Sequence, residues 1–341
     1  MKKVSYISVL NVISALAVVM LHTNGEFWKF STERYWFTAN IIESVFYFAV
    51  PMFFMLSGAT LVDYRERYST GEYFKKRIYK VIIPFILWNM IGAVYGIYKG
   101  TIKLQELSPI GFIVKSFNSQ IVAIYWFFIP LFSIYMSIPL LAAVGKEHRK
   151  SVFCYLAIAG FGFNSLLPFI FSIFNLSFNW DLQIGVTSGY LFYVIVGYLL
   201  HNYTLEKKWR KIIYILGVAG LCMHIVGTYK LSIEAGYIVD KFKGYINVPC
   251  VLYSIALFIF LKELVNKYEN KKIISFILRF NKYTFAVYLI HFFVMDILVD
   301  LFIINTFSIY YRVIGAFIIF ILCCVFTKII RKIPFGKYLL P

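Results

Sequence analysis

The chain has 341 residues, 61% of them hydrophobic and 15% charged, with mean hydropathy +0.76 and a net charge of +18. A water-soluble fold of this length has no interior large enough for that apolar surface, whereas lipid as solvent removes the need for one. The cations stand in short blocks between apolar runs, which positive-inside topology explains, so the charge does not call for a nucleic-acid partner.

In chain order, Lys2-Lys3 and an apolar run from Val4 to Leu21 have the look of a signal peptide. The next residues, His22-Thr23-Asn24-Gly25-Glu26-Phe27-Trp28, offer no small-residue cleavage site, so the run reads as a retained first helix. A spanning helix takes about 20 mostly apolar residues. Predicted spans are 5–24, 41–62, 79–98, 123–144, 152–173, 184–201, 211–229, 246–264, 284–304 and 309–330, the sixth being the shortest. With the N-terminus inside, the inward segments, counted together with the inner ends of the spans, hold 25 of the 34 Lys and Arg residues. The expectation is an all-α polytopic membrane protein of about ten transmembrane helices, both termini cytoplasmic, forming a single transmembrane domain over 1–341.

Between the spans, Ser69-Thr70 with Glu72 reads as a helix start. Ser108-Pro109 and the apolar stretch after Gly111 predict a short interfacial helix in the external segment 99–122. Cys154, Cys222, Cys250, Cys323 and Cys324 lie in or beside apolar runs without metal-ligand spacing, so they read as small hydrophobes, and no metal site is expected.

Polar groups inside apolar spans are costly, and each is a candidate for function. His22, at the outer end of the first helix, is a candidate general base; its bland reading is an interfacial imidazole. Asn11 stands eleven residues earlier, close to three turns, so the two share a face; it equally suits helix packing. Glu43 opens the second span near the depth of His22. It reads either as a partner that orients the imidazole or trades its proton, or as a hydrated interfacial carboxylate. Ser57-Gly58 permits close approach of a backbone or a ligand.

The segment from Asp63 to Lys80 carries Arg65, Arg67, Lys75, Lys76, Arg77 and Lys80. Continued helix would put Lys76, Arg77 and Lys80 on one face. That face reads as a contact for anionic headgroups or as a clamp for a phosphate-rich cytosolic ligand. Tyr125-Trp126 begins the fourth span, where aromatic residues gather at an interface in any case. His291 lies mid-span with no route to water, five residues before Asp296 and nine before Asp300. His224 and His201 are weaker candidates. No P-loop, zincin motif, nucleophile elbow or Rossmann fingerprint is present, which argues against an ATP-driven pump, a metalloprotease or a serine hydrolase.

Taken in order, these landmarks resemble the membrane acyltransferase-3 family of O-acyltransferases. The resemblance runs over nearly the whole chain. It rests on the first helix ending at His22, on Val50-Pro51-Met52-Phe53-Phe54-Met55-Leu56-Ser57-Gly58, and on Phe74 to Pro84 with Arg77 and Lys80. It continues through Tyr125 to Tyr135 with Pro139, Gly197-Tyr198 and Tyr288-Leu289-Ile290-His291. The length and the lack of a fused domain look most like the stand-alone branch that includes enterobacterial common antigen O-acetyltransferase. One departure stands out: the family typically has an arginine in the first helix at the position of Asn11, thought to assist with the acyl donor.

The resemblance implies acetyl transfer from acetyl-CoA in the cytoplasm to a hydroxyl of a lipid-linked or cell-surface polysaccharide, at the cell membrane. His22 is then the base, with Glu43 beside it. Arg77, Lys80 and Lys76, with Asn11, attend the CoA phosphates, and Ser57, Tyr125, Trp126 and His291 line the cavity. No cofactor is expected beyond acetyl-CoA as donor substrate; membrane lipid and polysaccharide-assembly proteins complete the expected partners. Two other readings are a flippase for a lipid-linked glycan and a degenerate acyltransferase serving as an assembly scaffold, the latter motivated by Asn11.

Overall fold

The computed structural model describes residues 4–341, the side chain of Glu106 excepted; Lys2 and Lys3, part of the charge count, lie outside the described residues. In hydrocarbon every backbone N–H and C=O must be satisfied within its own segment, and the apolar runs accordingly close into helices. In chain order these are α1 (Ser5–Thr23), α2 (Arg34–Glu66), α3 (Thr70–Tyr98), α4 (Ala123–Leu141), α5 (Lys146–Ile173), α6 (Leu191–Asn202), α7 (Lys207–Ala235), α8 (Val248–Lys267), α9 (Lys272–Phe302) and α10 (Tyr311–Ile330). Among the described residues nine of them, all but α6, are long and apolar enough to cross a membrane, and no strand is present. The protein is an all-α polytopic membrane protein.

The sixth helix departs most from expectation. Hydropathy predicts a helix over 184–201, but the chain runs through two short turns, Trp180–Leu182 and Gly185–Thr187, before α6 begins at Leu191. At 12 residues α6 measures about 18 Å, well short of a hydrocarbon core of about 30 Å. It tolerates this because it is wrapped in protein: every residue from Phe192 to Tyr198 is buried. Against α2 its backbone is in contact. A Cβ on Gly58 would run into the Val194 carbonyl oxygen, and one on Gly197 would run into that of Met55. Only hydrogen fits at either crossing point.

Helix starts follow local chemistry. Ser69 Oγ accepts from the Glu72 amide at 3.2 Å and opens α3, so the cationic stretch and the third span form one helix. Ser108 does the same for Gly111 at 3.0 Å, ahead of the short amphipathic helix Pro109–Phe117. Four helices carry a π-turn: Ile78–Ile82 in α3, Gly162–Leu166 in α5, Met223–Gly227 in α7 and Tyr311–Gly315 in α10.

The basic segments gather at one end of the bundle. There Arg149, at the start of α5, donates to Asp63 at 2.5 Å and to the carbonyls of Val144 and Ala142. Lys262 closes the C-terminus of α6 by donating to the Leu200 and His201 carbonyls at 2.6 and 3.2 Å. At the opposite end Arg312 is buried at the head of α10. Its guanidinium donates to Thr38 Oγ1 at 2.8 Å, to the Tyr35 carbonyl at 3.2 Å and to Asn24 Oδ1 at 3.3 Å. Thr23 Oγ1 donates to the Arg312 carbonyl and Asn24 Nδ2 to the Ala39 carbonyl. The residues just past His22 are thereby tied to both α2 and α10.

Candidate active site

Two cavities lie in line between these ends. The larger, about 270 Å³, opens toward the basic end and is lined by Asn11, Ser57, Arg77, Tyr135 and Thr284 among others. The smaller, about 130 Å³, lies toward the other end and is lined by His22, Trp28, Glu43, Trp126 and Tyr245. Phe53, Phe127 and Tyr288 line both. Their rings touch in sequence, Phe53 to Phe127 at 5.9 Å and Phe127 to Tyr288 at 5.6 Å between centroids, and form an aromatic partition between the cavities.

At the smaller cavity the decisive contact joins α1 to α9. His22 Nδ1 lies 2.7 Å from His291 Nε2, and His291 Nδ1 lies 2.9 Å from the carbonyl oxygen of Val287. A carbonyl oxygen only accepts, so His291 carries its proton on Nδ1 and presents a bare Nε2. His22 must then donate its own Nδ1–H to that nitrogen. The remaining nitrogen, His22 Nε2, keeps a free lone pair. His22 faces the cavity, while His291 is wholly buried behind it. The arrangement is a base oriented by a second residue that is itself fixed by the backbone, the logic shared by catalytic acyl-transfer sites on unrelated folds.

A family profile described as an acyltransferase domain matches residues 4–328. The chain belongs to the acyltransferase-3 family. No curated protein and no solved structure matches it.

For a membrane acyltransferase, the remaining sequence candidates fall into three groups. Asn11, Ser57 and Arg77 line the larger cavity. Asn11 Nδ2 donates to Asn281 Oδ1 and Thr284 Oγ1, both at 2.9 Å, and so fastens α1 to α9. Ser57 donates to the Phe53 carbonyl at 2.9 Å. Arg77 lies over the rings of Tyr73 and Tyr135, and its Nε is buried without a hydrogen-bond partner. Among the described residues no carboxylate lies within ion-pair distance of Arg77, so its charge meets the cavity and the Tyr73 and Tyr135 side chains without a neutralising anion.

Glu43 and Trp126 line the smaller cavity. Glu43 does not orient His22. Its Oε1 accepts from Lys243 Nζ at 2.7 Å, and both side chains are buried. Trp126 stacks on Tyr245 at 5.6 Å between centroids.

Tyr125, Lys76 and Lys80 line neither cavity. Tyr125 is buried and donates to the Leu289 carbonyl at 2.7 Å, packing α4 on α9. Lys76 pairs with Glu72 at 2.7 Å and lies over the Tyr68 ring. Lys80 is exposed. The π-turn at Ile78–Ile82 begins directly after Arg77 and breaks the α-helical register assumed between Lys76, Arg77 and Lys80.

Lys243 and Arg312 are absent from the sequence candidates, although each carries a signal. Lys243 is a cation in a predicted external loop, against the positive-inside trend, and Arg312 is a cation inside a predicted span. Burial pushes Lys243 below the usual lysine range, and Glu43 beside it acts in the opposite direction.

Proposed function

We propose that the protein is an O-acetyltransferase that moves acetyl from cytoplasmic acetyl-CoA to a hydroxyl of a cell-surface or lipid-linked polysaccharide. The observation that carries this reading is the His22–His291 pair, which leaves one unprotonated imidazole nitrogen at a cavity. Acetyl-CoA enters at the basic end, where Arg77 offers its phosphates a guanidinium with no carboxylate partner and Asn11 lines the same cavity. The thin acyl-bearing arm reaches past Phe53, Phe127 and Tyr288 toward His22.

His22 Nε2 takes the proton of the acceptor hydroxyl as its oxygen attacks the thioester carbonyl. The C–S bond then breaks, and the departing thiolate takes the proton back from His22, leaving an ester and free CoA. During the step the charge on His22 is shared with His291 through their hydrogen bond.

The test uses inside-out membrane vesicles supplied with acetyl-labelled CoA. Wild-type vesicles should place label in glycan. His22→Ala should lose that label while inserting normally, and Arg77→Gln should raise KM for acetyl-CoA about tenfold or more with a smaller change in kcat. Full transfer by His22→Ala would end this reading.

A further inference from the structure

The smaller cavity, which His22 lines, is also lined by Glu43, whose ion pair with the buried Lys243 the proposed transfer step does not use. Glu43 and Lys243 expose 4% and 2% of their side chains. Glu43 Oε1 is occupied by Lys243, whereas Oε2 is buried with no hydrogen-bond partner. Lys243 Nζ is enclosed by aromatic faces, 3.6 Å from the Tyr47 centroid, 4.9 Å from Phe27 and 5.1 Å from Trp28. A buried ion pair gains stability only when its remaining lone pairs are met, and an unmet carboxylate oxygen is a net cost to the fold. Stability alone therefore does not account for an unsatisfied oxygen on a cavity wall.

The same wall supplies flat apolar surfaces. Trp28, Trp126 and Tyr245 line the cavity with Glu43, and Trp28 is 59% exposed. A sugar ring has two kinds of surface: apolar C–H faces and a rim of hydroxyls. Aromatic faces take the first, and an acceptor-only carboxylate oxygen takes the second. Loop 236–247, which carries Lys243 and Tyr245, is fastened over this site. The Tyr47 and Tyr245 rings stack at 4.2 Å, and Asn247 Nδ2 donates to the Lys243 carbonyl at 3.0 Å.

We propose that Glu43 is the acceptor-positioning residue: its free Oε2 accepts a hydrogen bond from one hydroxyl of a sugar ring while His22 receives the proton of a neighbouring one. Lys243 holds the other carboxylate oxygen and so fixes which way Oε2 points. This rests on the assignment of the smaller cavity to the acceptor. It adds a requirement for two hydroxyls on one ring, so a single isolated alcohol is a poor acceptor.

The experiment uses the full-length protein in lipid nanodiscs. Tryptophan emission is followed while methyl glycosides of glucose, galactose, mannose and N-acetylglucosamine are added, since Trp28 and Trp126 both face the cavity. At least one glycoside should change the emission saturably. Glu43→Gln should weaken that binding about tenfold or more, with acetyl-CoA binding held. The double variant Glu43→Gln/Lys243→Met removes the risk of an unpaired buried ammonium and should match the single variant. Response to none of the four sugars, or equal sugar affinity in wild type and both variants, would overturn the proposal. The vesicle assay with His22→Ala tests the transferase reading separately, because that variant should still bind the sugar.

Discussion

An imidazole near a membrane surface has two tautomers of similar energy, and only one of them offers a base in a given direction. At His22 the choice is made by an atom on another helix, the Val287 carbonyl, acting through His291. The consequence can be measured. His291→Phe should lower kcat about 100-fold or more while leaving KM for acetyl-CoA nearly unchanged, because the tautomer and ring orientation are lost but the donor cavity is not. His291→Gln, whose amide oxygen can accept the Nδ1–H, should recover much of that loss. Equal damage from both substitutions would assign His291 to packing alone. Both histidines were legible in the sequence, since ionisable groups inside apolar runs are costly and mark function. Their contact was not, because it joins residues 269 positions apart and depends on how α1 meets α9. The same limit hid the partner of Glu43. Its depth beside His22 was readable, but Lys243 arrives from a loop whose path no local pattern encodes.

At the scale of elements, hydropathy located the helices and local chemistry located their starts, as Ser69 and Ser108 show. Helix interiors were less legible. A π-turn leaves no clear periodic mark, so the single cationic face drawn through Lys76, Arg77 and Lys80 came apart at Ile78–Ile82, with Arg77 turned to the cavity and Lys80 exposed. The short α6 was misjudged for a related reason: an apolar run looks alike whether it faces lipid or protein, and the run from Ile184 is partly irregular chain. What holds α6 in place is its crossing with α2 at Gly58 and Gly197. Each missing Cβ faces a backbone carbonyl that cannot step aside. Gly58→Ala and Gly197→Ala should each destabilise the protein by about 1–3 kcal/mol or more, read as a lower melting midpoint in detergent. Ser57→Ala, one residue away, should have a much smaller effect. An unchanged midpoint in both glycine variants would mean that the helices do not cross this closely.

For the whole molecule, the clustering of basic segments at one end sets its expected orientation. In a variant lacking its native cysteines, Lys150→Cys should react with a membrane-impermeant maleimide only from the cytoplasmic side, and Tyr237→Cys only from the other. The reverse pattern would turn around the two cavities here proposed for donor and acceptor. Their arrangement in series, with Phe53, Phe127 and Tyr288 between them, has a consequence beyond chemistry. A continuous wet bore through a membrane protein would discharge the ion gradients that the cell maintains. Three touching aromatic rings leave little room for a water file, and a narrow apolar constriction sheds water readily. An aromatic constriction of this kind would keep the two chambers from joining in one water-filled bore while leaving a path for a thin arm.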